Sequence, residues 1–152
     1  MILLLALAMG IIAGLRAFTP PAAISWAAWL GVLDLGDTGL AFLGYRFTPW
    51  ILTLVAALEL VGDQLPRTPS RKVPSQFGAR LISGAFCGAA IGLPSGAWVA
   101  GLVAGLIGAA IGTYGGAALR AALARSLRSD RPAGLIEDVL ALVVAILVVQ
   151  AL

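Results

Sequence analysis

Histidine is absent from the 152-residue sequence, and cysteine occurs once, at Cys87. Histidine is the most frequent general base in enzymes, and together with cysteine it supplies most ligands for soft metals. A single cysteine also leaves no partner for an intrachain disulfide bond. We therefore expect a protein that is not an enzyme and that uses no metal and no cofactor, with Cys87 as a small buried residue of a helix.

Charged residues are scarce as well: they make up 11% of the chain, against 61% hydrophobic residues, and the mean hydropathy is +1.02. A soluble domain of this length needs far more polar surface, so the composition indicates an all-α membrane protein with the lipid bilayer as its partner. The net charge of +3 does not indicate nucleic-acid binding, because eight of the ten basic residues lie in two short segments. These residues are Arg67, Arg71, Lys72, Arg80, Arg120, Arg125, Arg128 and Arg131.

The apolar runs predict about five transmembrane helices in a single domain over residues 1–152. The first run is too long for one crossing, since as a straight helix it measures about 48 Å against a hydrocarbon core of about 30 Å. Pro20 and Pro21 predict a break, with Thr19 as the N-cap of a second half-helix and Pro20 at its first position. Residues 19–30 either complete the first span or fold back as a re-entrant segment. The predicted spans are 2–30, 49–65, 77–93, 96–119 and 132–152.

The two basic segments also predict an orientation. They share one side of the membrane if the hairpin between them crosses twice, and the positive-inside rule makes that side cytoplasmic. The four tryptophans then fall near the opposite interface, as in an aromatic belt. With five spans, the N-terminus is expected in the cytoplasm and the C-terminus outside.

Glycines recur at helical spacing from residue 84 to residue 116. Such a bare face lets helix backbones approach closely in lipid, so we expect glycine-zipper packing within the chain and a homo-oligomer through the remaining glycine surface. The residues are Gly84, Gly88 and Gly92 on one helix and Gly101, Gly105, Gly108, Gly112 and Gly116 on the next.

Arg16 lies deep within an apolar run, where a charge is costly unless it is paired or hydrated. The helix start at Thr19 and Pro20 adds backbone N–H groups with partial positive charge, which together with Arg16 suit an anion or a carboxylate from a neighbouring helix. Three interpretations stay open. Arg16 takes part in binding or transport, it forms a structural ion pair with Glu59, or it extends along the helix to reach headgroup water.

Carboxylates occur in two further apolar runs, and they are often parts of ion or proton pathways. We expect Glu59 and Glu137 to relay protons or hold a cation, in one cytoplasm-facing polar cavity with Asp63, Arg80 and Asp138. The alternative for these last three is that they are interface residues that reach headgroup water. The predicted pathway set is therefore Arg16, Thr19, Pro20, Glu59, Asp63, Arg80, Glu137 and Asp138.

Three stretches carry a family resemblance: GLRAFTPPAAISWAA, GDQLPRTPSRKVPSQFGARLISGAFCGAAIG and LIEDVLA. They resemble the small bacterial integral-membrane family known as domain of unknown function 4126, over nearly the whole chain. The resemblance implies a polytopic protein of the bacterial inner (plasma) membrane, and it implies no particular chemistry.

The residues favour a small transporter or channel-like protein that moves a small solute or ion and has its polar site at the broken first helix. The solute and the sign of its charge are open, since Arg16 favours an anion and the carboxylates favour a cation or proton coupling. The alternative is a membrane scaffold or accessory subunit whose buried charges are structural ion pairs.

Overall fold

The computed structural model describes residues 1–62 and 73–152, and within these ranges all regular structure is helical. Two short 3-10 helices, Ala41–Gly44 and Leu93–Ser95, lie in the connections. The α-helices are α1 (Ile2–Leu15), α2 (Thr19–Trp29), α3 (Thr48–Gly62), α4 (Pro74–Gly92), α5 (Trp98–Leu127) and α6 (Asp130–Gln150).

Within residues 1–62 and 73–152, three stretches are long and apolar enough to cross a membrane: Pro74–Ser95, Trp98–Ser126 and Pro132–Gln150. They correspond to the last three predicted spans, except that α5 continues past residue 119 to Leu127 and is therefore about 45 Å long. The apolar helices α1 and α3 are shorter. The predicted end of the second span, at residue 65, lies outside the described residues. These helices are compatible with a membrane location.

An inner layer of α1, α4 and α5 holds the most extensive helix contacts. Helices α4 and α5 form an antiparallel hairpin in which Gly84 faces Gly105 and Gly88 faces Gly101. A Cβ atom on Gly84 would lie 2.6 Å from the carbonyl oxygen of Gly105, so a larger residue there would force the helices apart. Gly92 lies equally close to Ala97 after the turn.

Helix α1 packs on the neighbouring face of α5. Gly10 approaches Gly105 and Gly14 approaches Ala109, so α1 and α5 run in the same direction. Gly108 and Gly112 of α5 lie against Leu7 and Ile11 of α1, and Gly116 is also buried.

Helix α6 runs antiparallel to α5 and therefore also to α1. It begins after a tight turn in which Arg128 adopts a left-handed conformation (φ 53°), and it packs along α5 and α1. Val149 and Leu152 at its end join the same apolar cluster as Ile2 and Leu5 at the start of α1. Both chain termini therefore lie at one end of the bundle, which we call the terminal end.

The chain reverses between α1 and α2. Phe18 contacts Glu59 near the end of α3, whereas Trp26 contacts Trp50 and Thr53 near its beginning. Helix α2 also lines a groove with the part of α6 that runs towards the terminal end. Helix α2 therefore runs back along α1, and residues 2–30 form a helical hairpin instead of one broken crossing.

The predicted cap of α2 is wrong in its detail. Thr19 is the first helical residue and Pro20 the second, while the cap position belongs to Phe18, which provides no side-chain hydrogen bond. The prolines still account for the break, because neither has an N–H to continue α1.

The reversal also changes the expected placement of the termini. Because residues 2–30 turn back, the N-terminus and the C-terminus lie at the same end of the molecule, not at opposite ends. The four tryptophans share this end: Trp26 contacts Trp29 and Trp50 edge to face, and Trp98 begins α5 there. The start of α4 and the turn between α5 and α6 form the other end, which we call the basic end.

Candidate functional site

The tip of the first hairpin consists of Arg16, Ala17 and Phe18, which lie between α1 and α2. Arg16 adopts an extended backbone conformation (φ −141°, ψ 116°) and so ends α1. A reversal of this kind leaves carbonyl groups at the end of α1 and N–H groups at the start of α2 without helical partners. The tip lies level with Arg80, which is about 9 Å along α4 from Pro74.

Glu59 of α3 binds the N–H groups of the tip. Its Oε1 accepts a hydrogen bond from the Ala17 N–H at 2.7 Å, and its Oε2 accepts one from the Phe18 N–H at 2.9 Å. The anion expected at this helix start is therefore a carboxylate from a neighbouring helix, which the partial positive charge of the N–H groups stabilises. The Glu59 side chain is 12% exposed.

Arg80 of α4 binds the carbonyl groups on the other side of the tip. Its Nη1 donates to the Leu15 oxygen at 2.5 Å and to the Gly14 oxygen at 3.0 Å. Its Nη2 lies 4.0 Å from Oε1 of Glu59. One guanidinium therefore contacts the end of α1 and attracts the carboxylate that caps α2.

Two hydroxyl groups complete these contacts, and the sequence analysis did not include either. Ser83 donates to the Ala17 oxygen at 2.5 Å, and Thr113 contacts the Gly14 oxygen at 3.4 Å while donating to Ala109 at 2.8 Å. Ser83 follows Arg80 by three residues, so helical spacing already puts both on one face of α4. The spacing from Arg80 could therefore have identified Ser83 from the sequence. No such spacing to a predicted site residue identifies Thr113.

Arg16 pairs with a different carboxylate from the expected one. Its Nε donates to Oδ1 of Asp138 in α6 at 2.7 Å, and its Nη2 contacts the same oxygen. Arg16 has no exposed surface, which contradicts the interpretation that it reaches headgroup water. Pairing and hydrogen bonding offset the large cost of burying this charge.

The same burial contradicts the interface interpretation for two further residues. Arg80 is 2% exposed and Asp138 is 7% exposed, so neither reaches the surface. Glu137, next to Asp138, is also buried, and its Oε2 lies 3.9 Å from Nη1 of Arg120. The sequence had indicated Arg120 only as one of the basic residues that set the orientation.

The structure thus brings together Arg16, Glu59, Arg80 and Asp138 around the tip, and Glu137 directly precedes Asp138 in the chain. Thr19 and Pro20 are buried at the start of α2, whereas Asp63 lies outside the described residues. We call the first four residues the charged centre. Its formal charges balance, with two arginines and two carboxylates.

A cavity of about 500 Å³ lies beside the tip, between α3 and α4. Among the described residues that line it, Glu59 is the one charged side chain, and Ala17, Phe18, Ser75 and Gln76 are neighbours. The other members of the charged centre do not line it. Of the described residues predicted for a polar cavity, Glu59 is therefore the one carboxylate that lines this space, whereas Arg16, Arg80 and Asp138 are not part of its lining.

The chemistry that this arrangement supports is limited. Within residues 1–62 and 73–152, no group of three or more histidine, cysteine, aspartate or glutamate side chains is placed to hold a metal ion. Cys87 is buried in α4. The site consists of two helix ends of opposite partial charge. Arg80 binds the carbonyl groups at the end of α1, and Glu59 binds the N–H groups at the start of α2.

These features define the class of the protein: a small helical protein whose described part contains three helices apolar enough to cross a membrane and a charged centre at the tip of a helical hairpin. The chain belongs to the family described as Domain of unknown function (DUF4126), whose sequence profile matches residues 3–151. The family resemblance of the three sequence stretches is thereby confirmed. No curated protein matches the chain, and no solved structure does either.

Proposed function

We propose that this protein is a small membrane transporter or channel-like protein in which the hairpin tip is the polar site for a small solute or ion. Helices α3 to α6 cross the bilayer, and the α1–α2 hairpin enters it from one side and returns. Irregular backbone at membrane depth is tolerated where it is enclosed by protein or lines a cavity. Arg16 and Ala17 of the tip are buried, and Ala17 and Phe18 line the cavity. Broken helices whose ends face each other are typical of transporter binding sites.

The orientation follows from the basic residues. The positive-inside rule makes the basic end cytoplasmic, which puts both termini outside the plasma membrane of a bacterium. The tryptophans at the terminal end then lie at the outer interface. The cytoplasmic N-terminus inferred from five spans is replaced by an outer one, because the first span turns back.

The proposal is supported chiefly by Glu59, which belongs to the cavity wall and to the tip at the same time. This carboxylate forms part of the cavity wall and also binds the Ala17 and Phe18 N–H groups at the tip. If only Glu59 moved away, the Ala17 and Phe18 N–H groups and the guanidinium of Arg80 would become accessible from the cavity. A side chain between an accessible space and a buried charged centre is suited to act as a gate.

Assembly into a homo-oligomer remains part of the proposal. The close glycine contacts lie within the chain, but apolar side chains of α6 such as Leu135, Val139, Val143 and Leu147 are exposed. Contacts between subunits would therefore use branched apolar side chains as well as small residues.

The proposal is tested by thiol labelling of a Phe18→Cys variant in proteoliposomes, with Cys87 replaced by serine. Phe18 lies at the tip and lines the cavity. We expect a water-soluble thiol reagent to modify this cysteine from the basic end. An Ala13→Cys variant is the matched control, because Ala13 is fully buried in α1 and should stay unmodified. A folded Phe18→Cys protein that no reagent modifies from either side would refute a hydrated site.

A second candidate is the membrane scaffold, favoured by a specific observation. In this conformation Arg16, Glu59, Arg80 and Asp138 are all engaged by neighbouring groups. Such a network stabilises one arrangement of helices without any solute. If the protein is a scaffold, water-soluble reagents do not modify the cysteine of the Phe18→Cys variant. Glu59→Gln then changes the stability of the protein and no transport rate.

A further inference from the structure

We propose that the ion handled at the hairpin tip is the proton, and that Glu59 carries it. This inference rests on the proposed function and names its ion. Glu59 is the one titratable side chain among the described residues that line the cavity. Glu137 was an equal candidate from the sequence, but it is 2% exposed, pairs with Arg120 and does not line this cavity.

The surroundings of Glu59 suit a proton better than another ion. A hard cation needs several oxygen ligands, and the described part of the chain offers no acidic cluster for one. A free anion would compete with the carboxylate that already binds both N–H groups of the tip. A proton requires only one carboxylate oxygen.

Among the described residues, few charged groups face Glu59. Helix α2 and the 3-10 helix Ala41–Gly44, against which α3 mainly packs, contain no titratable residue, and α3 contains no other. Helix α4 contributes Arg80. Arg16 precedes Ala17 at the tip, but its side chain is directed to Asp138. The charge of Glu59 therefore acts chiefly on Arg80 and on the two N–H groups.

The proton step is simple in its atoms. A hydronium ion in the cavity transfers its proton to one carboxylate oxygen of Glu59. One O–H bond of the hydronium ion breaks, one O–H bond forms on Glu59, and a water molecule is left. The protonated oxygen is now a donor and no longer suits the N–H group that it bound. The neutral carboxyl group also loses its attraction to Arg80. Return of the proton to water restores both interactions.

Helix α3 has space to follow this change. It lies between the 500 Å³ cavity towards α4 and a largely apolar groove of about 480 Å³ towards α6. Its first half is held at the terminal end, where Trp26 donates to Thr53 and contacts Trp50. Protonation of Glu59 therefore weakens the hydrogen bonds that join the second half of α3 to the tip, while the beginning of α3 stays attached.

The inference is tested by the rate of Ala17→Cys labelling at two pH values, with Glu59 intact and Cys87 replaced by serine. Ala17 lines the cavity but is only 4% exposed, whereas Phe18 is already 43% exposed while Glu59 binds the tip. Rates are divided by those of a Ser129→Cys variant, an exposed position at the basic end, to remove the titration of the thiol itself. We expect the ratio to rise at least about tenfold on acidification, because the protonated tip opens. Adding Glu59→Gln, a neutral isostere, should make labelling fast at both pH values.

Proton flux provides the second measurement. Proteoliposomes with a trapped pH-sensitive dye receive a potassium gradient and valinomycin, and dye fluorescence reports proton entry. We expect Glu59→Gln to reduce the flux at least about tenfold and Glu59→Asp to retain part of it. Asp34→Asn, a change of an exposed carboxylate at the terminal end, should leave the flux unchanged. If Glu59→Gln does not fold, the partly reduced proton flux expected for Glu59→Asp still tests the inference.

The outcomes separate the two proposals. Ala17→Cys labelling whose rate does not depend on pH, with equal proton flux in Glu59→Gln, would overturn the proton assignment and leave the hydrated tip in place. Absence of Phe18→Cys labelling at both pH values in folded protein would overturn the proposed function itself.

Discussion

At the scale of single residues, the buried charges of this protein work as complementary pairs. Arg16 and Asp138 lie 122 positions apart in the sequence, and they meet where neither has appreciable contact with solvent. A buried ion pair contributes little net stability relative to an apolar pair, but removal of one partner leaves an uncompensated charge. The pair therefore constrains the arrangement of α1 and α6 more than it stabilises the fold.

We predict that Asp138→Ala lowers the free energy of unfolding by about 3–5 kcal/mol, because it leaves the Arg16 guanidinium unpaired in the interior. The double variant Arg16→Met, Asp138→Leu should recover most of the loss. Thermal denaturation in detergent micelles measures both, with Asp37→Ala as an exposed control that stays within about 0.5 kcal/mol of the wild type. A double variant no more stable than Asp138→Ala would show that the two charges are not coupled.

At the scale of helices, glycine decides how closely α1, α4 and α5 approach. The spacing of the glycines predicted a bare face, and the structure places Gly84, Gly88 and Gly92 within contact distance of backbone atoms of the next helix. The same spacing does not distinguish such positions from Gly115, around which an added Cβ would have no neighbour within 4 Å. Only the packed structure separates the two kinds of glycine.

We predict that Gly88→Ala destabilises the α4–α5 hairpin by about 1–3 kcal/mol, the usual cost of an added methyl group in a close-packed site. The new Cβ would lie 3.0 Å from the carbonyl carbon of Gly101 and nearer still to its oxygen. Gly115→Ala is the matched control in α5 and should be neutral or slightly stabilising, since alanine favours helix over glycine. Equal denaturation midpoints for the two variants would contradict the close approach.

At the scale of the whole molecule, one turn changes the topology. Reversal at the tip places both termini at the terminal end and leaves four helices to cross the membrane in the proposed arrangement. The basic end, with the start of α4 and the α5–α6 turn, then faces the cytoplasm.

We predict that reporter fusions locate both termini outside the cytoplasm. Alkaline phosphatase, which is active only after export, should be active when fused before Met1 behind a signal sequence or after Leu152. A fusion in the α5–α6 turn at Ser129 should be inactive, and a green fluorescent protein fused there should fluoresce. An active N-terminal green fluorescent protein in an otherwise functional chain would restore the five-span topology.

The amino-acid sequence by itself determined the helical class, the positions of the helices and the break before Pro20, because these depend on composition, periodicity and local backbone chemistry. It also identified the charged residues of the centre, since a charge within an apolar run is conspicuous. Their partners and the direction of α2 were decided by the tertiary structure. Glu59 and Ala17 are 42 positions apart, and a break in a helix permits continuation and reversal equally. Only the contacts of α2 with α3 and α6 select the reversal, and no local pattern encodes contacts at that separation.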